Sequence, residues 1–297
     1  MKTRRDLLFL LGAAAVAPRI TLAQSKQGPV LIGWLHAGSR ESNAHLFAAF
    51  KEGLAALGRK EGSNVLLEAR WADGRIDRLP ALAGELAVKR PVVIVAGPVS
   101  AAAAATKAAP ETPIVIFSGD PLPAGLVASL ARPGGMVTGV ANLVTATSEK
   151  YVELLLAAAP RLRRIGFLID TTSANHAFFL EVARRSVAQY SVEGRYAEVA
   201  RPEETEPALA RLAKEGAQAL VVNPGQAITV VRRRIVTFAL AQRWPVIGFS
   251  NDWAEAGTLL SYGVDQSANY RRAAYYVDRI LKGAKPSDLP IEQPTKF

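Results

Sequence analysis

Short apolar runs recur along this chain, each bounded by Gly, Pro or small polar residues, and they alternate with longer stretches whose apolar positions repeat at helical spacing. Val30 to Leu35 is the first such run. It gives way to His36-Ala37-Gly38-Ser39, then to an amphipathic segment over about 42–57 that Gly58 stops. Residues 64–71 alternate like an outer strand, 77–89 read as a helix, and Pro91 to Ala96 is apolar throughout. Ser100 stands where it would cap an alanine-rich helix reaching Ala109, and Pro113 to Phe117 is a further strand. After Asn142 the rhythm restarts. It predicts helices over 148–159, 175–190, 204–215, 226–242 and 270–281, and strands over 164–169, 195–199, 219–223 and 245–249.

Strands apolar on both faces and separated by helices predict parallel sheets covered on both sides, the α/β class. Two successive series predict two doubly wound parallel-sheet lobes rather than a single barrel, with the break from Pro133-Gly134-Gly135 to Asn142 read as a crossing between lobes. The length agrees, since the ~270 residues after the N-terminal segment suit two lobes of about 100–150 residues each.

That N-terminal segment changes the functional picture. Arg4-Arg5 precedes an apolar run, Leu7 to Ala17, and Thr21-Leu22-Ala23 offers small residues for cleavage. The pattern predicts a signal peptide over residues 1–23 with a twin-arginine-like start, too short to span the ~30 Å of bilayer hydrocarbon. Cleavage near Ala23 would leave a protein exported to the periplasm. The chain has no cysteine, which excludes disulfides, a thiolate nucleophile, Cys-based zinc sites and an acylated anchor. The formal charge is +10; the signal segment carries a net +3 of it, leaving +7. This charge sits in clusters such as Arg184-Arg185, Arg232-Arg233-Arg234 and Arg271-Arg272, without interleaved aromatics, and reads as solvated helix faces rather than a nucleic-acid surface.

In open α/β sheets ligands sit beyond the carboxyl ends of the strands. This selects the loops 36–40, 97–100, 118–121, 170–175, 223–226 and 250–253, and with them a set of residues that each carry two readings. Trp34 packs a core or flanks a ligand. His36 donates to a ligand carboxylate or caps a turn. Ser100 is a helix cap or, with the free N–H groups around it, a carboxylate site. Asp120, just past a strand, meets a ligand amine or caps the following segment. Thr172, Asn175 and Asn223 are caps or cleft-rim donors. Asp252 beside Trp253 offers a carboxylate next to an aromatic surface, or an exposed turn with Trp253 over the core. Asp265 lies near the return crossing, within reach of a hinge. His36, His45 and His176 show no metal-ligand spacing, and no cofactor motif is present.

Several blocks also carry a resemblance. Pro113-Ile114-Val115-Ile116-Phe117-Ser118-Gly119-Asp120-Pro121, Gly125-Leu126-Val127-Ala128-Ser129-Leu130-Ala131-Arg132-Pro133-Gly134-Gly135, Glu68-Ala69-Arg70-Trp71-Ala72-Asp73-Gly74, Leu259-Leu260-Ser261-Tyr262-Gly263 and the closing Ile280-Leu281-Lys282-Gly283 to Pro294-Thr295-Lys296-Phe297 resemble the ABC-transporter substrate-binding protein family with the type I periplasmic-binding fold. The resemblance implies an N-terminal lobe of residues 24–144 plus 263–284, and a C-terminal lobe of 145–262 plus 285–297, joined by a multi-strand hinge with the ligand cleft between them. Similar proteins continue past this point with a strand and a short helix, so a truncated second lobe is expected.

The resemblance further implies a monomeric solute-binding protein that closes on a small organic ligand, amino acids and aromatic ones among the choices, and docks on a membrane permease driven by a separate ATPase. Closure needs only that the ligand contact both lobes. A periplasmic ligand sensor for a membrane receptor and an exported hydrolase are the alternatives. Against an enzyme stands the lack of any G-x-S-x-G, H-E-x-x-H or P-loop pattern.

Overall fold

The computed structural model describes residues 28–122, 124–142, 148–173 and 175–294. The expected signal segment lies outside them. Among the described residues, ten strands form two five-stranded sheets. The first contains β1 (Val30–His36), β2 (Val65–Trp71), β3 (Val93–Gly97), β4 (Ile114–Ile116) and β5 (Val137–Gly139) in the order β2-β1-β3-β4-β5. The second contains β6 (Arg164–Asp170), β7 (Glu193–Val199), β8 (Ala219–Val222), β9 (Val246–Gly248) and β10 (Leu260–Ser261) in the order β10-β9-β8-β6-β7. Every pairing is parallel.

The helices between them are α1 (Ala44–Ala56), α2 (Leu79–Val88), α3 (Val99–Ala108), α4 (Tyr151–Ala158), α5 (His176–Gln189), α6 (Thr205–Lys214), α7 (Gln226–Thr229), α8 (Arg232–Ala241), α9 (Asn251–Glu255) and α10 (Gln266–Leu281). Strand alternation sorts the first lobe into two cores. Ile32 and Trp34 of β1 with Val93 and Val95 of β3 pack beneath α1 and α10, whereas Leu35, Ile94 and Ala96 face α2 and α3. The second lobe has one continuous core around Phe167, Leu220, Ile247 and Trp253. The two doubly wound parallel lobes predicted from the strand pattern are therefore present.

Several local expectations change. Pro133-Gly134-Gly135 does not carry the crossing: the Ala128 N–H binds the Pro133 carbonyl, and the chain then adds β5 to the first sheet before leaving it. Three residues are too few to show strand periodicity, so β5 is hidden in the sequence. Its last residue, Gly139, has φ +130°, and a Cβ there would overlap the Ile116 carbonyl oxygen, so only glycine lets β5 lie this close to β4. The expected helix over 226–242 is two helices, α7 and α8, and Ser100 lies inside α3 rather than capping it, with Pro98 at the cap position.

After β10 the chain returns to the first lobe. Tyr270, Ala273, Ala274 and Val277 of α10 share a core with Phe50 of α1, and Arg59 Nε binds Asp278 Oδ1 at 2.9 Å. Residues 285–294 stay there, contrary to their expected place in the second lobe. Leu289 and Ile291 enter the two first-lobe cores, Thr138 Oγ1 donates to the Leu289 carbonyl at 2.7 Å, and Glu292 pairs with Val140 and with Arg272. The apolar side chains of this tail find their partners beside β5, the strand that the sequence hid. Residues 295–297 lie outside the described part.

Candidate functional site

Both sheets reverse their winding beside their first strands, between β1 and β3 in one lobe and between β6 and β8 in the other. At such switch points the loops leaving the strands diverge and open a crevice. The two crevices face each other and enclose a cavity of about 120 Å³, on the order of ten times what a single water needs.

From the first lobe, His36, Ser100, Phe117, Asp120 and Asn142 line it, joined by Asn43 before α1 and by Gln266, Asn269 and Tyr270 on the first turns of α10. From the second lobe come Thr172, Ser173 and Asn175, then Gln226 and Thr229, then Phe249, Ser250 and Asp252. Six residues singled out in the sequence are thus brought together: His36, Ser100, Asp120, Thr172, Asn175 and Asp252. Four are not among the lining residues. Trp34 is fully buried under the site, stacked on Phe117 with ring centres 5.1 Å apart. Trp253 is fully buried in the second-lobe core against Phe249. Asn223 is buried, and Asp265 caps α10 by accepting from the Ala268 N–H at 3.1 Å.

The polar balance of the lining is uneven. Among the described residues, Ser100 Oγ, Asn142 Oδ1 and Gln226 Oε1 are buried without a hydrogen-bond partner, which is costly unless a further molecule supplies one. Asp120 spends Oδ1 on the Leu122 N–H. Asp252 turns Oδ1 to His45 Nε2 at 2.8 Å and Oδ2 to Arg232 at 3.8 Å. Among the described residues lining the cavity there is no Lys or Arg. An anionic ligand group would have to be met by neutral donors, and a cationic one by Asp120 or Asp252. Phe117, Tyr270 and Phe249 supply aromatic surface.

Three buried titratable groups hold the walls. His36 accepts the Gly38 N–H at Nδ1 (2.8 Å) and meets the Tyr270 hydroxyl at Nε2 (3.0 Å); burial pushes its pKa down to about 3, so the ring is neutral. Burial likewise raises the Tyr270 hydroxyl, with Asp252 adding to the effect. In the second lobe Asp170 accepts from the Thr172 N–H and hydroxyl at Oδ1 and from the Ala227 N–H at Oδ2 (2.9 Å), tying two cleft loops together. Burial raises its pKa and these bonds oppose the rise. A Cβ on Gly225 would overlap the Asp170 side chain, so this tie needs glycine there. Asp170 closes an apolar strand, and that position is the only signal in the sequence that could have singled it out.

The lobes also touch around the cavity. Arg232 donates to the Ser42 carbonyl at 3.2 Å, alongside the His45–Asp252 contact, and Arg75 reaches Glu203 at 3.6 Å.

Comparison with known proteins agrees with this architecture. A tyrosine-binding protein of Clostridioides difficile (strain R20291) is 25% identical over 248 residues, 82% of this chain and 70% of that protein. A conserved domain protein from Vibrio cholerae superposes with a TM-score of 0.83 at 23% identity, covering 91% of this chain and 90% of the other. An ABC domain in complex with L-Trp from Streptococcus pneumoniae gives a TM-score of 0.79 at 23% identity over the same shares. The ABC transporter substrate binding protein family matches residues 39–297. With two parallel-sheet lobes around a polar, aromatic-walled cavity, this chain belongs to that family of ABC transporter substrate-binding proteins.

Proposed function

We propose that this protein is a periplasmic solute receptor that captures an amino acid, an aromatic one foremost, by closure of its lobes and delivers it to an ABC importer. The observation that carries this reading is the set of three buried, unpartnered polar atoms, Ser100 Oγ, Asn142 Oδ1 and Gln226 Oε1, gathered from both lobes around one cavity. A zwitterion matches the rest of the lining: its ammonium suits Asp120 or Asp252, and its carboxylate suits neutral hydroxyl and backbone donors where the described lining residues include no Lys or Arg. A ring suits the faces of Phe117, Phe249 and Tyr270. The similarity to a tyrosine-binding protein and to a domain holding L-Trp points the same way.

On this reading the chain is exported by its N-terminal segment, works as a monomer, performs no chemistry, and presents its closed form to a permease coupled to an ATPase. A ligand that bridges the lobes favours the closed arrangement by its differential contacts alone. The test is a thermal-shift screen of residues 24–297 against amino acids, aromatic acids and other small organic solutes. A saturable rise in Tm for aromatic amino acids supports the reading. A cooperative melt that no amino acid shifts contradicts it.

A further inference from the structure

The His36–Tyr270 pair fixes the direction of a proton. The Gly38 N–H is held by the backbone and points at His36 Nδ1 from 2.8 Å, so that nitrogen is an acceptor and carries no hydrogen. The neutral ring must then carry its proton on Nε2, which lies 3.0 Å from the Tyr270 hydroxyl oxygen. Tyr270 therefore accepts from His36 and keeps its own proton to give away. Its hydroxyl makes no other hydrogen bond among the described residues. The rings packed on the Tyr270 ring, Phe117 at 4.3 Å and Trp34 at 5.9 Å between centres, offer no strong acceptor, and the Asp252 carboxylate, whose charge helps raise the hydroxyl, is engaged by His45 and Arg232. His36 and Tyr270 both line the cavity, and both are almost wholly buried.

We infer that His36 is a positioning residue that commits the Tyr270 hydroxyl as a donor into the cavity, so that this wall of the first lobe selects a ligand carrying an oxygen acceptor there. Resting on the amino-acid reading above, that acceptor is the ligand carboxylate. Ser100, unpartnered and on the same lobe, adds a second neutral hydroxyl. The pair makes a carboxylate site with no cation among the described lining residues, its polarity set by a tautomer, while Asp252 on the same cavity remains for the ligand ammonium. The same wall disfavours a ligand that would place an ammonium or another pure donor against Tyr270, because the fixed proton would face it.

Two measurements test this. In the ligand-free wild type, nitrogen NMR of His36 is expected to show a neutral ring protonated on Nε2. In a two-ligand comparison, L-tryptophan and tryptophanol are titrated into the wild type and Tyr270→Phe. The variant is expected to lose about ten- to hundredfold in affinity for L-tryptophan and much less for tryptophanol, so that discrimination between carboxylate and alcohol shrinks by about tenfold or more. A merely structural role would weaken both ligands alike. Equal losses, or a His36 ring protonated on Nδ1, would overturn the inference. If the wild type binds neither ligand, the amino-acid reading fails, and the His36 tautomer alone then decides whether Tyr270 is a committed donor.

Discussion

His45 on α1 of the first lobe and Asp252 on α9 of the second meet across the mouth of the cavity at 2.8 Å. Arg232 reaches the same carboxylate from α8 and donates to the Ser42 carbonyl, so a second-lobe pair grips the start of a first-lobe helix. Asp252 and Arg232 are mostly buried, where a charge contact is screened less than on the surface.

This grip predicts that Arg232→Gln weakens lobe apposition without entering the cavity, which Arg232 does not line. The expected result is a ligand affinity lower by roughly three- to tenfold, as for the loss of ~1 kcal/mol of contact. Small-angle scattering of the ligand-free variant should show a larger radius of gyration. An unchanged affinity and radius would show that the contact does not hold the lobes.

Ser100→Ala should move stability and binding in opposite directions. Its hydroxyl is buried and unpartnered, and its position is inside a helix where Ala is the better former. The ligand-free variant should melt at the same or a slightly higher temperature, while ligand affinity falls about tenfold. A drop in Tm with unchanged affinity would assign Ser100 to packing.

Asp170→Asn places an NH₂ group where both carboxylate oxygens now accept, against the Thr172 donors or the Ala227 N–H. One buried donor must lose its partner, at a cost of about 1–3 kcal/mol. Denaturant unfolding should register that loss. Ligand affinity should fall too, because the loops at Thr172 and Gln226 would no longer be tied.

The buried His36 predicts an acid limb in stability. Its folded pKa of about 3 lies below the ordinary value of 6.5, so the unfolded chain binds the proton more readily. The contribution is fully present above pH 6.5 and is lost as pH falls toward 3, at up to about 1.4 kcal/mol per pH unit. His36→Gln should flatten that limb between pH 6 and 4 in denaturant titrations. An unchanged slope would mean that the ring is not protected from protonation.

Much of this site was legible in the sequence because parallel α/β sheets confine ligand loops to strand ends, and apolar runs mark where strands end. That logic located His36, Ser100, Asp120, Thr172, Asn175 and Asp252 around the cavity. It could not separate Trp34 and Trp253 from the lining, since both sit near strand ends while their rings turn into a core. Tyr270 and Asn142 escaped for a different reason, and Gln226, at the end of the selected loop 223–226, was not singled out within it. Asn142 follows the three-residue β5, Gln226 opens a four-residue helix, and Tyr270 reaches the site only because α10 returns from the second lobe to pack on α1. Such placements depend on contacts far apart in sequence, which local periodicity does not record.

Capture of an amino acid in the cavity between the lobes is tested by calorimetric titration of residues 24–297 with L-tryptophan and L-tyrosine, with Ser100→Trp as a variant whose side chain fills the cavity. Saturable binding of one ligand per chain by the wild type and its loss in the filled variant are expected, with both proteins folding cooperatively. Folded wild-type protein that binds neither amino acid, or a filled variant that binds as well as the wild type, would contradict such capture.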